Sequence, residues 1–303
     1  MGNMEKLYQK RRRDRYDGWR VKPADPVMDL VPYVLRTRID SQVLFEEEIS
    51  IEKLEDFIKQ HAQEIPGLSI MYILIAAMVR LISQRPYLNR FIVHNKLYAH
   101  NTIKVSVAIK RGLSDKGGEA LIKPEFEPDD TLAEIARKIE EEIVATKPTD
   151  AENDTDKTAK ILGKIPSWIK RPFVNLMYRL DSHGMMPKAI AEASPWHTSA
   201  FLTNIGSLGI DSVYHHLYEF GTCSLFLAMG KKNRETVRNE DGTERKEKTM
   251  RLRMVTDERI CDGHYYAVSM RYYKKILLKP EQLLNPPHEV LYDDEIESPR
   301  VKQ

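Results

Sequence analysis

Two periods of hydrophobic and polar residues run through the chain, one typical of strands and one typical of helices. Short apolar or alternating runs predict strands at residues 42–48, 90–94, 96–100, 102–110, 119–126, 199–203, 223–229 and 248–256. Apolar residues three and four apart predict helices at residues 51–60, 69–83, 131–146, 166–180 and 264–278. Asp241-Gly242 is a hairpin signal between the last two strands, and a hairpin among alternating helices and strands predicts a mixed sheet.

Capping and turn residues mark where several of these elements begin. Ser50 and Ser69 stand at the starts of the first two helices, and Thr131 with Glu134 has the spacing of a capping box. A tight turn is expected around Asn95, between two short strands. The second helix is apolar on nearly every side, so we expect it to lie in the core.

Composition narrows the class of protein. The net charge of +2 is too small to indicate a nucleic-acid partner. The longest apolar run, 70–81, already contains Arg80 and is too short to cross a membrane, and no apolar signal core precedes Val27. Cys223 and Cys261 cannot build a disulfide framework and are typical of reduced thiols. We therefore expect a cytoplasmic protein with neither a nucleic-acid nor a membrane partner.

The N-terminal segment differs from the rest of the chain. Residues 1–22 carry eight basic side chains against three acidic ones, which fits either an anion-binding arm or a solvated, partly ordered extension. The composition favours the extension. We divide the chain into a basic arm (1–30), one folded domain (31–295) and a tail (296–303).

Two central segments have contrasting patterns. Residues 147–160 are polar without an apolar period and predict a surface loop. Residues 166–180 have apolar and aromatic residues at helical spacing. A helix that packs on the domain is the favoured interpretation, and a membrane-surface helix is the alternative.

Three places in the chain carry candidate chemistry. Asp262-Gly263 is a turn between a strand and a helix, where an aspartate serves as a helix cap or an ion-pair anchor. By itself it favours a structural turn. In the segment 203–209, TNIGSLG, the hydroxyl of Thr203 or Ser207 could donate to an oxyanion, although an ordinary glycine-rich turn fits as well.

The third place is His215-His216. Adjacent residues on a strand face opposite ways, so these two cannot easily chelate one metal ion. Structural histidines are the favoured interpretation, and His216 as a catalytic base is the alternative. We predict no metal site.

Three segments share a pattern with a known family. They are residues 45–54 (FEEEISIEKL), residues 201–206 (FLTNIG) with 228–230 (AMG), and residues 257–263 (DERICDG) with the helix that follows to 284. In order and spacing they resemble the catalytic domain of the 2-oxo acid dehydrogenase acyltransferases, also called dihydrolipoyl acyltransferases, and their relative chloramphenicol acetyltransferase. The third segment is the most specific.

The resemblance implies a fold and a reaction. The fold is a two-layer α/β sandwich with a mixed sheet and helices on one face, assembled as a homotrimer with active sites between subunits. A histidine takes a proton from an attacking thiol or hydroxyl, with coenzyme A on one side and the acyl acceptor on the other. The acceptor is a small molecule or a lipoyl-type thiol.

The resemblance also assigns roles to residues. Thr203, followed by Asn204, matches the oxyanion donor. Asp262, followed by Gly263, matches the acid that comes after the histidine. We expect its ion-pair partner at Arg36 or Arg38.

Glu258 stands where the family has its catalytic histidine. A free glutamate has a pKa near 4.3 and a thiol about 8.5, so proton transfer between them is uphill by roughly 6 kcal/mol. Burial raises the pKa of a carboxyl group and would reduce this cost. Either a desolvated Glu258 is the base, or His215, His216 or His264 reaches the same channel.

The sequence therefore predicts a coenzyme A-dependent acyltransferase with glutamate in place of histidine. The alternative is that catalysis is lost and the chain is a non-catalytic homotrimer that binds a ligand or acts as a scaffold. The chain leaves no room for a lipoyl domain, so we expect no covalently bound lipoyl group and not a complete dehydrogenase-complex core subunit.

Overall fold

The computed structural model describes residues 6–110, 119–146, 166–238 and 241–301. Its strands are β1 (Gly18–Arg20), β2 (Gln42–Ser50), β3 (Arg90–Val93), β4 (Lys96–His100), β5 (Ile103–Lys110), β6 (Glu119–Ile122), β7 (Glu125–Phe126), β8 (Ala200–Asn204), β9 (Leu225–Arg238) and β10 (Glu244–Asp257). Its α-helices are α1 (Pro26–Val34), α2 (Glu52–His61), α3 (Ile70–Gln84), α4 (Leu132–Thr146), α5 (Ser167–Ser182), α6 (Lys188–Ala193) and α7 (Gly263–Leu278).

The larger sheet has the strand order β2-β10-β9-β8-β5-β6, with β7 also paired to β5. Strand β8 runs parallel to β5 and β9, whereas β10 runs antiparallel to both β9 and β2. The predicted mixed sheet is therefore confirmed. A second, three-stranded sheet has the order β1-β4-β3.

The main core lies between one face of the larger sheet and helices α2, α3, α4 and α7. Helix α3 is buried along nearly its whole length, as its apolar sequence predicts, and Tyr273 of α7 donates a hydrogen bond to the Leu74 carbonyl at 3.1 Å. On β8, Ala200 and Leu202 point into this core. Because side chains alternate along a strand, Phe201 and Thr203 point to the opposite face.

Most predicted caps are confirmed. The Ser69 hydroxyl accepts from the Tyr72 amide, and Thr131 with Glu134 forms the reciprocal bonds of a capping box. Ser50 does not cap α2, because Ile51 is the N-cap residue and makes no side-chain capping bond. The single strand predicted over 119–126 is interrupted and forms β6 and β7.

The interpretation of the N-terminal segment as a solvated extension is wrong for its described part. Arg15 is buried with Asp181, and Trp19 and Val21 are buried as well. Strand β1 pairs with β4, and the Gln9 amide donates to the Pro299 carbonyl at 2.9 Å. Both ends of the chain therefore pack onto the same part of the molecule. Helix α1 follows this segment and was not predicted.

The two central segments have different outcomes. The predicted loop at 147–160 lies outside the described residues. The predicted helix at 166–180 is α5, which buries Met177 and Asp181 but leaves Trp168 79% exposed. Among the described residues, none of the helices combines the length and the apolar character that crossing a membrane requires.

Candidate functional site

Asp262 begins the last helix. Its carboxylate accepts from the Tyr265 amide at 2.8 Å, which makes it the N-cap of α7. Gly263 is the first residue of the helix, and a methyl group added there would meet no atom within 4 Å. The structural role of this turn is therefore a helix cap, and the Asp262 side chain is exposed.

The predicted ion pair between Asp262 and an N-terminal arginine is wrong for Arg38. Arg38 is buried, and its Nε lies 3.8 Å from a carboxylate oxygen of Asp257. Arg38 also donates to the carbonyls of Glu219 and Gly221 at 2.7 and 2.9 Å. Burial lowers the pKa of Arg38, and the charge of Asp257 opposes this effect.

Asp257 also forms an ion pair with Arg259, the residue that follows Glu258. Its two carboxylate oxygens accept from Nε and Nη2 of Arg259 at 2.8 and 2.7 Å, and both residues are buried. This ion pair was not predicted from the sequence. The available signal was two opposite charges, at 257 and 259, directly after an apolar strand.

Glu258 lies between the buried residues Asp257 and Arg259, and its side chain points into solvent. Its amide donates to the Ser41 carbonyl at 2.8 Å, which fixes the backbone, while its side chain is exposed. Arg259 Nη1 donates to the Leu35 carbonyl at 3.3 Å, so the end of α1 lies beside this turn. The desolvated pocket that a glutamate base requires is not formed by one chain in its described part.

Thr203 is half-buried and lies several residues along the sheet from Glu258. It pairs with Ala228 of β9, which in turn pairs with Arg253 of β10. Glu258 is five residues beyond Arg253, which at about 3.4 Å per residue is roughly 17 Å along the strand. Within one chain the predicted oxyanion donor and the predicted base are therefore far apart.

The loop after Thr203 is fixed by its own hydrogen bonds. The Asn204 side chain accepts from the Ser207 amide at 3.1 Å, and the Ser207 hydroxyl donates to the Asn204 carbonyl at 2.8 Å. A methyl group on Gly206 would lie 2.2 Å from the Gly230 carbonyl oxygen, so only glycine fits against β9. Because the Ser207 hydroxyl is already engaged, Thr203 is the remaining candidate of the two predicted oxyanion donors.

The two histidines do not face opposite ways, because they lie in an irregular segment and not in a strand. The His215 ring stacks on Phe226 with centroids 4.2 Å apart and on His216 at 4.7 Å. Phe226 stacks in turn on Phe201 at 4.9 Å. His216 is therefore on the same sheet face as Thr203. Burial lowers the pKa of His215, whereas His216 is exposed.

Neither cysteine is suited to act as a nucleophile. Both are free and buried, and burial raises the pKa of the Cys223 and Cys261 thiols to about 12. A thiol with this pKa is almost wholly protonated at neutral pH. Cys261 therefore contributes packing to the turn before Asp262.

Residues 195–285 match a family model described as 2-oxoacid dehydrogenases acyltransferase (catalytic domain). The chain carries this catalytic-domain signature. The resemblance inferred from the sequence is thus confirmed, and the matched segment includes Thr203, Glu258 and α7. A search among curated protein sequences gave no match.

Solved structures extend the likeness of fold to most of the chain. The cubic core of the pyruvate dehydrogenase multienzyme complex superposes with a TM-score of 0.53 at 14% identity, over 85% of this chain and 88% of that one. A probable dihydrolipoamide acetyltransferase from Listeria monocytogenes gives 0.52 at 16% identity, over 89% and 97%. A chloramphenicol acetyltransferase gives 0.52 at 12% identity, over 86% and 99%. The predicted chloramphenicol acetyltransferase-like fold is confirmed.

Proposed function

We propose that this protein transfers an acyl group between coenzyme A and a small acceptor, at sites formed where two copies of the chain meet. The observation that carries this proposal is the separation of Thr203 from Glu258 by roughly 17 Å along one sheet. Two such residues act on one substrate only if a second copy brings its Glu258 to the first copy's Thr203. The family signature around both residues supports acyl transfer as the reaction.

The geometry of this contact favours a ring. It joins two different surfaces, so each copy has both a free Thr203 end and a free Glu258 end. Contacts of this kind close into rings when the rotation permits. The resemblance to the acyltransferase family makes a homotrimer the expected ring.

The surface beside Glu258 is apolar, which supports the proposal that a second copy of the chain covers it. Helix α1 exposes Leu30 and Val34, which are 60% and 68% accessible in one chain. Apolar surface of this kind marks an interaction site. A copy packed over α1 would also remove water from Glu258, and that desolvation favours a glutamate as a general base.

In the proposed reaction, Glu258 takes the proton from the thiol or hydroxyl of the acceptor. The resulting sulfur or oxygen nucleophile attacks the thioester carbonyl, and the Thr203 hydroxyl donates to the oxyanion of the tetrahedral intermediate. Collapse breaks the carbon–sulfur bond to coenzyme A, and the proton passes from Glu258 to the departing thiolate. A lipoyl-type thiol or another small thiol or alcohol fits the role of acceptor.

The test is acyl transfer from acetyl-coenzyme A to a panel of acceptors that includes dihydrolipoamide, small thiols and alcohols. We expect Glu258→Gln to lower kcat by about 10²- to 10⁴-fold, the usual contribution of a general base, with oligomer mass unchanged. Thr203→Val should lower kcat by about 10²- to 10³-fold. His216→Asn, the matched control, should have little effect. Loss of activity in His216→Asn alone would assign the base to His216, and equal activity in all variants would overturn the mechanism.

A second candidate function is suggested by the exposure of Glu258 and by the absence of a histidine at this position. In this alternative the chain is a non-catalytic homotrimer that binds a ligand or a partner. It predicts coenzyme A binding without turnover of any acceptor in the panel, and a calorimetric titration with coenzyme A separates the two candidates.

A further inference from the structure

Helix α5 leaves an apolar stripe uncovered. Trp168, Pro172 and Leu176 are spaced four residues apart, so they lie on one side of the helix. All three are exposed, and Trp168 is 79% accessible. The helix packs on the rest of the chain through another side, where Met177 and Asp181 are buried. The packing role predicted from the sequence accounts only for that buried side.

The exposed charges of α5 are all positive. Lys170, Arg171 and Arg179 are exposed, and within the described ranges none of them lies at ion-pair distance from a carboxylate. Arg171 is three residues after Trp168, and Arg179 is three residues after Leu176. Residues three apart are neighbours on a helix, so these two arginines flank the apolar stripe.

The basic part of the N-terminal segment is attached at the end of this helix. Residues 10–13 (KRRR), which we call the basic run, are all exposed. Arg15 follows them, is buried, and donates to a carboxylate oxygen of Asp181 at 2.7 Å. Two residues of chain span at most about 7 Å, so Arg13 lies close to the end of α5. The fold thus places the basic run beside the exposed helix.

The acidic residues near these two segments leave the surface positive. Asp17 is paired with the buried Arg15 at 2.7 Å. Asp14 accepts from two backbone amides and adds one negative charge beside the four basic side chains of the run. Burial, followed by the nearby charge of Glu219, raises the pKa of Tyr178, which lies on another side of α5 from the apolar stripe.

We propose that α5 and the basic run together dock on the surface of an anionic lipid membrane. Trp168 and Leu176 enter the headgroup region, while the arginines and lysines contact the negatively charged headgroups. A helix with exposed apolar residues and Lys or Arg beside them lies in the plane of such an interface. Basic segments near the surface strengthen the attraction to anionic lipids.

The combination of apolar and basic groups favours a lipid surface over other polyanions. The phosphates of a nucleic-acid duplex attract basic side chains but offer nothing to Trp168 and Leu176. A second copy of the same surface would be repelled, because it carries the same charge. Docking of this kind requires no spanning helix, and it replaces the expectation that the chain has no membrane partner. The proposal does not depend on acyl transfer.

The test measures co-sedimentation of the full chain with lipid vesicles. Vesicles of phosphatidylcholine are compared with vesicles that also contain phosphatidylserine. We expect saturable binding to the anionic vesicles in about 0.05 M sodium chloride and its loss in about 0.5 M, because salt screens exposed charges. An absence of binding to the anionic vesicles at low salt would overturn the proposal.

Charge variants test the basic run. The double variant Arg12→Gln/Arg13→Gln should lower the affinity for anionic vesicles about 25-fold, at roughly fivefold for each charge. The double variant Arg234→Gln/Arg238→Gln on β9 removes the same charge from two exposed positions. It is the matched control and should bind like the unaltered protein. Equal affinities in the two double variants would contradict the proposal.

Variants of the tryptophan test the apolar stripe. Trp168→Asp should lower the affinity at least about tenfold, whereas Trp168→Phe keeps an apolar ring and should bind normally. Val144→Asp on α4, at a position 61% exposed, is the matched control. Unchanged binding in Trp168→Asp would mean a site for polyanions in general, and a lower oligomer mass in this variant would assign the stripe to a contact between copies. Either result would overturn the proposal.

Discussion

At the scale of single residues, most buried charge is neutralised by an opposite charge, as in Arg15 with Asp181 and Arg90 with Asp293. His100 is buried differently. Its ring lies 4.2 Å from that of Phe91, and its Nε2 is 3.3 Å from the Thr222 carbonyl oxygen. Burial lowers the pKa of His100 to about 4, so the ring is neutral at pH 7. This histidine makes the folded state sensitive to acid.

We predict that His100→Gln reduces the loss of stability in acid. The folded pKa of about 4 lies below the unfolded value of 6.5, so the unfolded chain binds the proton first as pH falls. The resulting decrease in the free energy of unfolding is absent above about pH 6.5 and grows to about 3 kcal/mol near pH 4. Urea unfolding at pH 7 and pH 4.5 should show a smaller decrease in the free energy of unfolding for this variant. The exposed His264→Gln is the control, and equal decreases in the two variants would contradict the prediction.

At the scale of elements, α1 stands out as a helix with little packing of its own. Asp25 caps it by accepting from the Val27 amide at 2.8 Å, and Pro32 is its buried residue. Leu30 and Val34 remain exposed next to the turn that carries Glu258. The capping explains why the helix forms, and its apolar surface fits the proposed interface between copies of the chain.

We predict that Leu30→Asp disrupts the oligomer without unfolding the chain. A charge at the centre of an apolar interface is desolvated without a partner. In a single chain Leu30 is exposed, so the free energy of unfolding should change by no more than about 0.5 kcal/mol. Val144→Asp on α4 is the matched control, because Val144 is 61% exposed and Leu30 is 60% exposed. Sedimentation velocity should give a lower mass for Leu30→Asp alone, and equal masses would exclude α1 from the interface.

At the scale of the whole molecule, the two ends of the chain stabilise one another. The Glu297 amide donates to the Arg20 carbonyl at 2.9 Å, and Asp293 is paired with Arg90 of β3. Trp19 is buried in the same region. In its described part, the N-terminal segment is therefore packed on the folded domain and hydrogen-bonded to the tail.

We predict that deletion of residues 1–22 lowers Tm markedly, whereas deletion of residues 1–5 does not. The longer deletion removes β1 and the buried Trp19, and loss of a buried tryptophan side chain alone costs about 3–5 kcal/mol. Thermal unfolding of both deletions and of Trp19→Ala measures the effect. An unchanged Tm in the longer deletion would mean that the segment does not stabilise the fold.

The local elements and the family signature could be predicted from the amino-acid sequence alone. Helix α3, the capping box at Thr131 and the cap at Asp262 depend on residues within a few positions of one another, so their patterns are visible in the sequence. The mixed sheet followed from a hairpin signal of the same local kind. The motif around Glu258 is also contiguous, which is why the missing histidine could be identified without coordinates.

Which distant residues meet became visible only in the folded chain. Arg38 pairs with Asp257 and not with Asp262, Arg15 and Trp19 are buried, and Thr203 lies roughly 17 Å along the sheet from Glu258. These outcomes depend on strand order, register and packing between residues that are far apart in the sequence. Hydrophobic periodicity carries no information about them, because it reports which side of an element is buried and not what covers that side.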